Sequence, residues 1–111
     1  MGAIYNLNPA SAPTQPLARN AGTPVSVSIS TTASVALAAN ANRAGYSFYN
    51  AGPGTILMRE GTTVASNLYE RPIPSGFQWD SEPSSYRYTG AVSLIAAAGT
   101  ATVMVTESTL S

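Results

Sequence analysis

The stretch Pro24–Ser30 (PVSVSIS) decides the fold class. Val25, Val27 and Ile29 alternate with Ser26, Ser28 and Ser30. An extended backbone therefore gives this segment one apolar and one polar face, the pattern of a half-buried strand. The same period continues outward. Val35 and Leu37 resume it after a break at Thr31–Thr32. Tyr46–Asn50 (YSFYN) reads as an aromatic strand. Thr55–Glu60 (TILMRE) reads as its hairpin return across the turn Ala51-Gly52-Pro53-Gly54, with Gly61 closing the pair. Phe77 and Trp79 alternate around Gln78, and Tyr86 and Tyr88 around Arg87. Val92, Leu94 and Ala96 form a further strand ended by Gly99. Thr100–Glu107 (TATVMVTE) is the last, with Val103 and Val105 on one face. Pro72 and Pro74 make residues 62–75 an edge or a loop. No segment carries a helix-sized apolar period. The expectation is an all-β chain: a single β-sandwich or jelly-roll-like domain of about seven or eight short antiparallel strands, with a small barrel also open. Residues 25–107 hold this domain, and 108–111 read as a C-terminal tail.

Residues 1–24 follow another rule. They contain Pro9, Pro13, Pro16 and Pro24 and a single charge, Arg19. Proline fixes φ and has no amide to donate, so this stretch reads as an extended, Pro-rich N-terminal arm. Ordering a residue costs about 1–2 kcal/mol, and burying Ile4, Tyr5, Leu7 and Leu17 returns roughly 1.5–3 kcal/mol each. Those four cannot offset the whole arm, so a foreign surface is needed to order it.

Composition excludes more than it suggests. The 111 residues suit one domain. Net charge is zero, Lys is absent, and the five Arg (19, 43, 59, 71 and 87) are scattered, which argues against nucleic-acid binding. There is no Cys and no His. Disulfides, thiolate metal sites, Cys nucleophiles and Ser–His–Asp arrangements are therefore unavailable, and the commonest general base is missing. The first 20 residues show no signal-peptide pattern, and the apolar stretch Ala91–Ala98 is too short to span a membrane.

The carboxylates are Glu60, Glu70, Asp80, Glu82 and Glu107. Asp80 and Glu82 could start a calcium loop, but two acids on a Ser-rich turn fall short of the six or so oxygens such a site collects. Two carboxylates can also serve a glycosidase, yet that needs a cleft in a larger scaffold. No cofactor, metal, small-molecule substrate or catalytic residue is assigned. Trp79, Tyr86, Arg87 and Tyr88 read either as core or as a contact surface, since Trp, Tyr and Arg are enriched at interfaces. Arg43 reads either as a local bond at the start of a strand or as a bridge to a neighbouring subunit.

Several segments carry a resemblance. Leu37-Ala38-Ala39-Asn40-Ala41-Asn42-Arg43, the aromatic strand ending in Asn50 and the Gly-rich turn after it resemble short structural proteins of phage head and tail genes. So do Tyr88-Thr89-Gly90-Ala91-Val92, Ile95-Ala96-Ala97, and the Gly99-Thr100-Ala101-Thr102-Val103 hairpin followed by Val105-Thr106-Glu107. The resemblance covers roughly residues 25–107 and is similar in kind to the decoration, or cement, proteins of tailed bacteriophages. It implies a non-enzymatic subunit made in the host bacterial cytoplasm and placed on the capsid surface of the virion. The implied partners are the major capsid protein and further copies of the chain, as a homotrimer. Contacts would fall on Ile4, Tyr5, Leu7, Leu17, Arg19, Arg43, Trp79, Tyr86, Arg87 and Tyr88. The Pro-rich arm and the aromatic middle segment depart from the shared pattern. A neck, tail or fibre component and a carbohydrate-binding module using Trp79, Tyr86 and Tyr88 are the alternatives.

Overall fold

The computed structural model describes residues 19–81 and 87–111; residues 1–18 and 82–86 lie outside it. Among the described residues all regular structure is strand. The segments are β1 (Arg19–Asn20), β2 (Val25–Ile29), β3 (Ser34–Leu37), β4 (Arg43–Pro53), β5 (Ile56–Glu60), β6 (Arg71–Ile73), β7 (Gln78–Asp80), β8 (Val92–Ala96) and β9 (Ala101–Leu110). They build two antiparallel sheets. One runs β1-β9-β4-β7, with β2 also paired to β9; the other runs β3-β8-β5-β6. The all-β sandwich that the period-two pattern predicts is the observed architecture.

Segments β1 and β2 lie end to end along the same edge of β9. Arg19 opposes Leu110 and Asn20 opposes Thr109, whereas Val25 opposes Val105. Residues 21–24 thus face only 106–108, a bulge in what is otherwise one strand. Gly22 sits at the bulge because any side chain there would run into the Glu107 backbone carbonyl. Counted this way, the sandwich has eight strands. The boundaries shift accordingly. Residues 19–20 already belong to the sheet, and β9 extends through 108–110, where a tail is expected.

Two turns differ from their sequence reading. The Gly52-Pro53-Gly54 turn and the turn after Gly99 both read as hairpins, but neither joins paired neighbours. The first carries the chain from β4 in one sheet to β5 in the other, and the second carries it from β8 to β9. Glycine and proline specify that the chain reverses; burial decides where the returning strand lies. Tyr46 and Phe48 of β4 and Ile56 and Met58 of β5 all enter one core cluster, approaching it from opposite sheets. Buried Asn50 pins the crossing. Its Nδ2 donates to the Gly54 and Ile73 carbonyls, and its Oδ1 accepts from the Gly52 amide, each at 2.8 Å. Gly52 has a φ of 87°, a region that side chains disfavour, and the Gly52–Pro53 peptide is cis. Of the connections between β2 and β9, only β5–β6 joins hydrogen-bonded neighbours.

The core is shared between the inner faces of both sheets, with Ile29, Phe48, Ile56, Leu94 and Val103 fully buried. A smaller cluster of Leu57, Val64 and Ile95 lies apart from it. Leu57 and Ile95 pair across β5 and β8 and, by the alternation of a strand, point to the outer face. The loop carrying Val64 covers them. Strand β8 is therefore buried on both faces along its whole length, Ser93 included. Edge strand β6 contains Pro72, in line with the proline rule for edges.

Candidate functional site

A sandwich has two lateral sides, where the edge strands of its sheets face each other. One side pairs β6 with β7. There the Arg71 guanidinium lies over the Trp79 indole, 3.6 Å from its centroid, joining the two sheets by a cation–π stack. Just inside, the Tyr46 hydroxyl of β4 donates to Glu60 Oε2 of β5 at 2.6 Å. Burial, then this bond and the negative charge of Glu60, push the Tyr46 phenol far above its ordinary range, with Trp79 and Arg43 pulling slightly back. The Trp79 indole N–H itself finds no acceptor of normal geometry among the described residues.

The opposite side pairs the β1–β2 strand with β3 and is open. A groove of about 270 Å³ runs between them, lined by Thr23, Val25, Val27, Ala36, Leu37 and Val105, with Glu107 at its end. Val25, in this lining, is 57% exposed; Val35, also on the β3 edge but paired with Ser93 on the outer face, is 50% exposed. Among the described residues strand β2 pairs only with β9, and β3 only with β8, so within this set each has an outer edge of backbone donors and acceptors that no other strand meets. A larger groove of about 550 Å³ is lined by Tyr46, Ser47, Asp80, Ser81, Thr106 and Ser108, with Ala21 and Gly22.

The expected contact residues fall into three groups. Ile4, Tyr5, Leu7, Leu17 and Tyr86 lie outside the described residues. The Arg19 backbone pairs with Leu110 in the sheet. The others turn inward. Arg43 is fully buried. Its Nε donates to Glu107 at 2.7 Å, Nη1 to the Tyr88 and Gly90 carbonyls, and Nη2 to the Ala38 carbonyl at 2.6 Å. Of the two readings of Arg43, the structure displays an internal clamp: these bonds engage every nitrogen of the guanidinium. Arg87 Nη1 donates to the Ala41 and Arg43 carbonyls. The Tyr88 ring packs on the core, and its hydroxyl donates to the Ala91 carbonyl. Trp79 packs on the core beneath Arg71. Trp79 and Tyr88 thus do not form an exposed sugar-stacking platform. Asp80 Oδ1 accepts from Gln78 Nε2 at 2.8 Å, while Glu82 lies outside the described residues. Among the described residues no three His, Cys, Asp or Glu side chains converge.

Sequence reasoning missed Glu107, Asn50 and the exposed Val25 of the groove. The first two carried a signal. Tyr46, Phe48 and Asn50 share one parity, as do Val103, Val105 and Glu107, so the alternation that buries the first two of each set also turns the third inward.

No family model and no curated protein matches the chain. Among solved structures it is similar to a subunit of Bacillus endospore appendages, described as a novel family of disulfide-linked pili. Sequence identity is 20%, the match covers 96% of this chain and 99% of that one, and the TM-score is 0.46. This chain has no cysteine.

Proposed function

We propose that this protein is a structural subunit of a virus particle that acts by contact alone, in its most specific form a phage head decoration protein bound to the major capsid protein. The observation that carries the reading is the open side: an apolar groove between two uncharged strands that, among the described residues, have no partner on their outer edges. A monomer gains nothing from leaving such edges bare, and exposed apolar patches of this kind mark contact sites. The segments resembling decoration proteins support the same reading, and so does the lack of His and Cys. Each copy adds modest affinity, and linkage between copies multiplies it through effective concentration. A ligand that binds only the mature shell stabilises that shell by mass action.

The test is to add purified protein to shells that lack it and to count bound copies per particle. Saturable binding of many copies spread over the shell is the expected result. A few copies confined to the tail axis would assign the chain to the neck, tail or fibre instead, and no binding at micromolar concentration would remove both readings.

A further inference from the structure

We propose that the open groove receives the leading segment of a second copy of this chain, with residues 3–9 adding an extended strand at the β2 edge and Tyr5 and Leu7 seated among Val25, Val27, Ala36 and Leu37. The inference deepens the reading of the chain as an assembly subunit, but it does not depend on a capsid.

Four observations favour this occupant. First, the two open edges lack the charged and proline residues that discourage strand addition. β2 (VSVSI) and β3 (SVAL) hold no charge and no proline, whereas β6 holds Arg71 and Pro72 and β7 holds Asp80. Second, the leading segment has the matching pattern. Tyr5 and Leu7 alternate with Asn6 and Asn8, so an extended backbone would place two apolar side chains toward the groove and two amides toward water. Third, β1 points away from the groove. β1 and β2 run antiparallel to β9. Moving from Val25 back to Arg19 therefore leads past Leu110 and off the end of the sheet, while the groove lies in the other direction. Returning would require a full reversal through a stretch stiffened by Pro9, Pro13 and Pro16. Fourth, the reach is sufficient. Eighteen residues precede Arg19, and at about 3.3 Å each an extended chain spans roughly 60 Å, enough to cross to an adjoining subunit. Arm into groove is a heterologous contact, so it closes into a ring or continues as a filament according to the rotation between copies.

Two full-length variants test the proposal. Tyr5→Asp with Leu7→Asp spoils the arm and leaves the groove intact. Val25→Asp spoils the groove at a half-exposed lining position and leaves the arm intact. In sedimentation, the unmodified chain is expected to form rings or longer chains, and each variant alone to associate at least tenfold more weakly. An equimolar mixture should give one-to-one dimers that grow no further, because only one complementary contact remains. The absence of native cysteine allows a direct check: Leu7→Cys in one chain and Val25→Cys in another should oxidise to a linked pair. Three results overturn the proposal: an unmodified chain that stays monomeric at high micromolar concentration, an arm variant that associates like the unmodified chain, or a Leu7→Cys/Val25→Cys double variant that closes its disulfide within one chain. Shell binding is scored separately. Loss of shell binding with self-association intact removes the capsid reading alone, and the converse removes only the arm contact.

Discussion

On one lateral side of the sandwich, β6 and β7 carry Arg71, Pro72 and Asp80 and are joined by the Arg71–Trp79 stack. On the other, β2 and β3 carry no charge and leave Val25 and Val35 half in solvent. Both sides belong to one small domain with one core, so the contrast does not come from a shortage of apolar residues. It comes from what occupies the edges. One side is finished by the chain's own side chains, and the other is built as though a further strand were to arrive.

The largest effect is expected where the open side is anchored. Arg43 ties Glu107, at the end of the groove, to the carbonyls of Ala38, Tyr88 and Gly90. Arg43→Ala strands a partly buried carboxylate and three carbonyls, and urea unfolding should show a loss of about 3–5 kcal/mol. Tyr46→Phe, next to the closed side, removes a hydrogen bond to the charged Glu60 and should cost about 1.5–3 kcal/mol in the same assay. It should also change the alkaline limb of stability. In the native protein the Tyr46 phenol holds its proton after the unfolded chain has released it. Stability is therefore complete below about pH 10 and falls as pH rises toward the folded-state value. The Phe variant should lack this component of the fall. Arg71→Ala removes the lid on Trp79 and should cost about 0.5–2 kcal/mol. Emission of the chain's single Trp should shift toward that of a hydrated indole. Smallest of all, Val25→Asp should change the stability of the isolated domain by no more than about 0.5 kcal/mol. A large loss there would mean that the open side is already part of the core and would erase the contrast between the two sides.

The alternation of Val25, Val27 and Ile29, of Tyr46 and Phe48, and of Val103 and Val105 made the strands and the fold class legible, because side-chain parity is a local property. The sheet to which each strand belongs was not legible. Gly52-Pro53-Gly54 has the same composition whether the next strand pairs alongside or crosses the core, and the choice rests on contacts distant in sequence, such as Asn50 with Ile73. The inward turn of Arg43 was hidden for a related reason. A lone arginine reads as surface until its acceptors are known, and these come from three separate stretches of chain. The closed side depended on Arg71, in a Pro-rich segment that offered no strand period. The open side depended on residues whose apolar character was plain, but whose cover, or lack of it, is a matter of tertiary arrangement.

The placement of β1 and β2 along β9 has a mechanical consequence. The first described residue, Arg19, lies on the axis of the β1–β2 strand, opposite Leu110. A pull on the preceding residues is thus directed along the β2–β9 ladder rather than across it. Under such a load the backbone bonds between Val25–Ile29 and Ala101–Val105 share the strain side by side, instead of opening one after another like a zip. Peeling the same strand sideways would meet them singly. A subunit tethered through its first residues is consequently strongest in the direction in which its tether would draw tight.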